Sequence, residues 1–403
     1  WAVYNAFVPL FLADKFGLEP GIIGFFMTLD NLAALFIQPP VGAWSDRLRT
    51  PIGRRMPFIL IGAPVGALAF GLIPLASALP LFVACTSTLL LSMAFWRTPV
   101  VALMPDITPS PLRSQANGII NLMGGLGAIV ATLGGSQLYR INPAYPFWLG
   151  SVLVIVASLL VFAFIREPKE IAATERGPGL LASLREVAAD PDHSGLRLLL
   201  AIFFWFLGYS AIEAFFTLYA VNHLGLEPAD GVRLAGQQSL IFVLFALPAG
   251  YIGATLGRRV TIVIGIVLMS AVMLGTFFLP VATLTTVLFS IPVLGAVPVV
   301  GLMLMFGGAA WALININSLP MVVDLTVPAR IGPFTGLYYL FSTLSNIAGP
   351  NVNGWIIQLS GNNYSLIMVV APVFMAVALV LMLGVKRGEA VKTADGGRLT
   401  AEA

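Results

Sequence analysis

The sequence predicts an all-α membrane protein of twelve spanning helices, arranged as two pseudo-symmetric six-helix halves. Three observations lead there. First, 58% of the 403 residues are hydrophobic and only 10% are charged, against roughly 25% charged in a soluble domain. With 21 Lys and Arg and 18 Asp and Glu, a water-facing skin cannot be built, so most of the surface faces lipid. Second, apolar stretches near the spanning length of about 20 residues recur along the chain. Third, the chain repeats itself: sliding it by 208 positions aligns AFVPLFLADKFGLEP (6–20) with AFFTLYAVNHLGLEP (214–228) without a gap.

Breaking the sequence at its charged and Pro/Gly-rich segments gives stretches at about 1–13, 21–44, 57–76, 80–105, 115–138, 146–165, 196–221, 232–255, 260–280, 297–323, 333–358 and 364–385. The chain opens at Trp1 inside an apolar run, so the first stretch reads as shortened and any targeting signal stays unread. Segment 281–296 reads either as an apolar outer loop or as an early start of the tenth helix. Two polar segments remain. Segment 166–195 is rich in charge and reads as a linker with a short amphipathic helix near 179–189, and 386–403 reads as a disordered tail. The domains are therefore 1–165, the linker 166–195, 196–385 and the tail 386–403.

Lys and Arg placement sets the orientation, because positive loops stay in the cytoplasm. With the linker inside, the inner segments hold Arg47, Arg49, Arg54, Arg55, Arg113, Arg166, Lys169, Arg176, Arg185, Arg197, Arg258, Arg259, Arg330, Lys386, Arg387, Lys392 and Arg398. The outer loops hold only Lys15, Arg140 and Arg233, and Arg97 falls within a span. Both termini are expected in the cytoplasm, and the protein in the cell (inner) membrane.

Composition also excludes chemistry. One cysteine, Cys85, rules out a disulfide scaffold or thiolate metal site, and His193 and His223 are too far apart to suggest a metal cluster. No enzyme activity, cofactor, metal or nucleic-acid partner is expected, and the chain is expected to act as a monomer.

The repeat continues through Pro40 and Gly42 with Pro248 and Gly250, Gly53-Arg54-Arg55 with Gly257-Arg258-Arg259, and Asp106-Ile107-Thr108 with Asp324-Leu325-Thr326. Parallel six-helix repeats joined by a cytoplasmic linker place a site between the halves near the midplane. Ionisable groups inside a bilayer are functional candidates by default. Asp30 and Glu213 are expected proton carriers, since a buried carboxyl can be neutralised by a proton; a structural acid satisfied by Asn or Gln is the alternative. Their repeat mates are Gln238 and Asn5, so the acids are asymmetric between the halves. Arg97, with Trp96, Trp311, Asn315 and Asn317, supplies aromatic planes and donors suited to a sugar's apolar faces and hydroxyls; a purely structural Arg97 clamped to Asp30 or to helix ends is the other reading. Asn31, Asn121, Gln237 and Tyr338 complete the pocket candidates, with Tyr339 and Asn346 behind them.

Gating candidates sit at the cytoplasmic ends. In GAWSDRLRTPIGRRMPF (42–58), Asp46 with Arg47, Arg54 and Arg55 is expected to latch the halves until rocking breaks the contact, or else the arginines only set topology. The copy at 253–259 has Ala254 in place of Asp46. Asp106 and Asp324, each followed by Arg113 or Arg330, are expected as an inner gate, or else as plain interfacial residues that tolerate water.

These strings, QPPVGAWSDR (38–47), GRRMPFI (53–59) and PVVALMPDIT (99–108), resemble the sucrose and proton-associated sugar transporters of the major facilitator superfamily, the bacterial branch above all, near the glycoside, pentoside and hexuronide cation symporters. The resemblance implies a twelve-helix alternating-access fold and proton-driven symport of a disaccharide such as sucrose or maltose. The plant proteins' proton-binding aspartate corresponds to Leu90 and their sugar-binding arginine to Val101, while the sodium symporters' aspartates fall at Ala34 and Gln38. Proton coupling therefore rests on Asp30. An exporter or flippase of lysolipid or glycolipid, and a non-transporting sensor on the same scaffold, are the competing readings.

Overall fold

The computed structural model describes residues 1–108, 113–167, 180–292, 294–326 and 331–388. Among them, nine helices are long and apolar enough to cross a membrane, and the remaining helical runs complete the twelve-span plan. In the first half, α1 (Ala2–Leu10) continues through a π-helical turn, Phe11–Lys15. The second span is broken into α2 (Pro20–Phe26) and α3 (Leu29–Arg47), and α4 (Met56–Leu72) and α5 (Leu79–Ile107) follow. The fifth span is α6 (Arg113–Ile129), a second π-helical turn (Val130–Gly134) and α7 (Gly135–Ile141), and α8 (Tyr145–Phe164) is the sixth. The linker carries α9 (Leu180–Ala189), close to the helix expected at 179–189. The second half consists of α10 (Ser194–Asn222), α11 (Pro228–Leu256), α12 (Arg258–Phe278), a single turn α13 (Val281–Leu284), α14 (Val299–Val323), α15 (Ile331–Leu359) and α16 (Ile367–Leu383).

Local chemistry sets these boundaries. Pro20 and Pro228 occupy the first position of α2 and α11, where the missing N–H costs nothing and φ is already helical. Gly257, at φ +96°, turns the chain sharply between α11 and α12, a conformation that side-chain-bearing residues avoid.

Segment 281–296 departs from an all-helical chain. After α13 it forms an antiparallel hairpin of β1 (Val287–Ile291) and β2 (Gly295–Pro298). Pro292 and Pro298 break a helix at this point, Val, Phe and Ile favour the pleated form, and Gly295 takes φ +74° in the turn. The loop reading therefore holds, and the tenth span begins at Val299.

Within the first half α4 packs on α5 and α8, and α3 on α5; within the second, α14 packs on α11 and α12, and α10 on α15 and α16. Trp205 of α10 is wholly buried in this second-half core. The halves meet through α1 with α10, α2 with α15, and α6 and α7 with α11. The two ends of the bundle differ: the linker marks one, the linker end, and the hairpin marks the other, the hairpin end. At the hairpin end the backbones come together: a Cβ on Gly24 would lie 2.2 Å from the Pro350 carbonyl oxygen, and one on Gly354 2.5 Å from that of Pro20. Gly21 N donates to Gln358 Oε1 at 3.2 Å, and Asn351 Nδ2 to Thr28 Oγ1 at 3.2 Å, both across the halves. The basic residues Lys169, Arg176, Arg330, Lys392 and Arg398, and the tail from 389, lie outside the described residues.

Candidate functional site: a polar cavity between the halves

Three adjoining chambers of about 230, 280 and 220 Å³ lie between the halves, and Glu213 borders all of them. The first is lined by Asn5, Asp30, Asn31, Arg97, Ser210, Glu213 and Asn346. The second extends between α1, the π-helical turn after α6, α10 and α11 to Thr132, Tyr209, Gln238 and Ser239. The third, against the second half, adds Phe206, Phe242, Trp311 and Asn315. The extra residue in a π-helical turn re-aims the side chains around it, and Thr132 sits in that turn. A larger cavity of about 460 Å³ lies inside the first half, lined by residues such as Ala63, Gly66, Leu89 and Met93. Its walls are apolar, so the polar chambers carry the chemistry.

Asp30 stands in the first turn of α3, where the helix N-terminus favours an anion, and its Oδ1 accepts from Asn31 Nδ2 at 2.8 Å. Glu213 stands on the opposite half, and its Oε1 accepts from Asn5 Nδ2 at 3.4 Å. Asn5 and Glu213 are repeat mates, so equivalent positions of the two halves touch at the centre of the molecule. Arg97 opens into the Asp30 chamber and makes no hydrogen bond or ion pair with another described residue; the clamp onto Asp30 is not formed. Trp311 stacks on Tyr209 with ring centroids 3.8 Å apart and planes at 2°, and the edge of Phe206 meets Trp311 at 5.2 Å. This fixed aromatic platform belongs entirely to the second half.

Other candidates face elsewhere. Trp96 packs on α4, where a Cβ on Gly62 would lie 2.7 Å from the Trp96 Cβ. Asn317 is buried and donates to the carbonyls of Ala249 (3.1 Å) and Leu313 (2.9 Å), tying α14 to α11. Gln237 is buried too, its Nε2 donating to the carbonyls of Leu294 (3.1 Å) and Ala296 (3.0 Å), so it clamps the hairpin. Tyr338 lies buried beside Ser318 Oγ, 3.3 Å from its hydroxyl. The side chains of Asn121 and Arg113 lie outside the described residues, as does Arg330. Tyr209 and Ser239 are cavity residues that sequence reasoning missed; Gln238, noted only as a repeat mate, replaces its neighbour Gln237.

At the linker end the expected gating groups pair within each half. Arg54 Nη2 binds Asp106 Oδ1 at 2.8 Å, and Arg55 binds Asp106 Oδ2 at 3.0 Å and Asp46 Oδ1 at 2.5 Å. Asp46 is thus held by its own half in this conformation instead of reaching across, and Arg47 is exposed at the end of α3. Asp106 is taken by these two arginines, and Asp324 by Arg258, the repeat equivalent of Arg54. Glu167, which follows α8, accepts from the backbone N–H groups of Arg54 (2.9 Å), Arg55 (3.0 Å) and Met56 (2.8 Å). It satisfies the free amides at the start of α4. Among the described residues no three His, Cys, Asp or Glu side chains come together as a metal site.

The chain is similar in sequence or in fold to several known proteins. The Multidrug resistance protein 1 of Bacillus subtilis (strain 168) is 21% identical over 219 residues, 54% of each chain, so the match spans about half the length of that relative. The class B Tetracycline resistance protein of Escherichia coli is 27% identical over 370 residues, 87% of this chain and 86% of that one. Sucrose transport protein SUC3 of Arabidopsis thaliana is 23% identical over 159 residues, 34% of this chain and 27% of its own length. Among solved structures, a single-substitution mutant of the nucleoside transporter NupG superposes with a TM-score of 0.73 at 16% identity, covering 95% of this chain and 94% of that one. An inward-facing, occupied bacterial homologue of the human lysosomal transporter Spinster does so at 0.69 and 15%, covering 95% and 92%. Residues 1–305 match the Major Facilitator Superfamily, and the chain belongs to that superfamily of membrane transporters.

Proposed function

We propose that the protein is a proton-coupled symporter of a sugar or glycoside, working by alternating access with its linker end in the cytoplasm. The observation that carries this reading is the central cavity, where one carboxyl from each half, Asp30 and Glu213, borders the same chamber. A rigid aromatic platform and the amides of Asn315, Asn346 and Gln238 line the adjoining wall. Aromatic faces take the C–H faces of a sugar ring, and amides and Ser239 take its hydroxyls. Arg97 offers donors from the facing half, so a bound solute bridges the two halves. A proton on Asp30 removes a charge that would otherwise have to be stripped of water when the cavity closes. The solute and the neutralised acid together permit the rocking step.

Uptake of labelled sucrose and maltose into proteoliposomes under an imposed pH gradient tests the reading, comparing wild type with Asp30→Asn. Gradient-driven accumulation in wild type, reduced to downhill equilibration by the substitution, is expected. Uptake indifferent to both the gradient and the substitution refutes the coupling. A second reading draws on the same aromatic platform, which also suits a planar amphipathic compound: proton-driven export of such a compound, as the names of the resistance-protein relatives suggest. Failure of every sugar, with gradient-dependent extrusion of a planar dye, selects it.

A further inference from the structure

We infer that Asp230, bound by Arg140 of the first half and Arg233 of the second, is the residue that locks the hairpin end shut, and that the hairpin holds the lock in register. The inference rests on the transporter reading above but needs neither the sugar nor the proton.

Asp230 lies in the first turn of α11, where the helix N-terminus favours a carboxylate. Its Oδ1 is shared by Arg140, at the end of α7 and so on the other half, and by Arg233 one turn along α11 at 2.8 Å. Among the described residues, Arg54 and Arg55 with Asp106, and Arg258 with Asp324, pair at the linker end within one half, and Arg387 of the tail pairs with Asp190 of the linker; Arg140 with Asp230 crosses between the halves. The opposite interface at this end, α2 against α15, is closed by backbone packing at Gly24 and Gly354. One flank is sealed by shape, the other by charge.

The hairpin is built onto the charged flank. Arg233 and Gln237 are four residues apart on α11 and face the same way. Gln237 donates to the hairpin carbonyls of Leu294 and Ala296, while the Arg233 side chain runs beneath Gly295, where a Cβ would lie 3.0 Å from its Cδ. The Arg233 side chain is only 13% exposed, and its Nε is buried without a partner. A guanidinium pinned in this way points its Nη2 at Asp230 and keeps the carboxylate oriented toward Arg140. Opening the hairpin end must break the Arg140 bond while the Arg233 bond travels with the second half.

The test uses a Cys85→Ser background with Ser239→Cys as a reporter on the cavity wall, labelled by a membrane-impermeant maleimide from the hairpin side. Asp230→Asn and Arg140→Gln are each expected to raise the labelling rate at least about fivefold. Gly295→Ala, which crowds Arg233 and strains the hairpin turn at φ +74° while leaving Asp230 and Arg140 in place, is expected to raise it in the same direction. In the parent protein the rate should also climb with ionic strength, since exposed charge pairs are screened, and this dependence should vanish in Asp230→Asn. Melting temperatures identify variants that fail to fold, and salt dependence in the parent provides a reading without any substitution at the lock. Parental labelling rates in folded Asp230→Asn and Arg140→Gln, or a parent rate flat with salt, overturn the inference. Because labelling requires no solute or gradient, failure of sugar uptake leaves this result standing.

Discussion

Alanine at Gly24 should push the protein toward the state open at the hairpin end. An added Cβ would meet the Pro350 carbonyl oxygen at 2.2 Å and its carbon at 2.9 Å, whereas unstrained carbon contacts lie near 3.5 Å. The obstacle is backbone, so no rotamer change relieves it, and α2 and α15 must part by about 1 Å. Overpacking of this kind costs about 1–3 kcal/mol. The cost exists only while α2 touches α15, so it falls on the closed conformation alone and appears as a population shift of roughly 5- to 150-fold. The assay is maleimide labelling of Ser239→Cys from the hairpin side, paired with the melting temperature. Faster labelling is expected, and Gly354→Ala, with its Cβ 2.5 Å from the Pro20 carbonyl, should act alike. Since both relieve one interface, the double variant should shift less than the sum. A lowered melting temperature with unchanged labelling refutes the reasoning, because it means that the glycines serve the fold in every state.

Other expectations follow from the linker end and the cavity. Glu167→Ala leaves three backbone donors at the start of α4 without their acceptor, and should lower stability by roughly 1–2 kcal/mol in a thermal melt; an unchanged melt sinks the capping role. At the start of α10, the hydrogen bond from Ser194, helped by Arg387, holds the Asp192 carboxyl below the usual range. A depressed acid stabilises the fold above its unfolded pKa of about 3.9 and loses that contribution as pH falls through the folded value. Acid melts of wild type should therefore fall away below about pH 4 more steeply than those of Asp192→Asn, and parallel curves would count against it. Trp311→Ala removes the ring stacked on Tyr209 and should weaken solute binding about tenfold or more, measured by uptake competition, with little change in gradient dependence.

The repeat made the two-half plan readable, because an offset of 208 survives in the bare sequence. Which side chains enter the cavity was less legible, for a geometric reason. Neighbouring helical residues point about 100° apart, and a helix that is apolar all round offers no stripe to orient it. Of Trp96 and Arg97 the arginine faces the cavity; of Gln237 and Gln238, the second; of Asn315 and Asn317, the first. Each pair was visible, but its orientation came only with packing. The Asp46 group was legible as a charge cluster, but that its partner would be Arg55 of the same half was not. The hairpin's role could not be read because its contacts to Gln237 run through backbone carbonyls, which leave no mark in composition.

The contact between Asn5 and Glu213 has a consequence for how such a molecule can arise by duplication. A residue on the pseudo-twofold axis faces its own copy, so a freshly doubled chain would have set asparagine against asparagine or glutamate against glutamate. Two asparagines can bond to each other, each having donor and acceptor, while two glutamates held this close repel unless one takes a proton. Divergence at this position alone turns a symmetric joint into one with a single ionisable side. The two halves then cease to be interchangeable at the point where they touch.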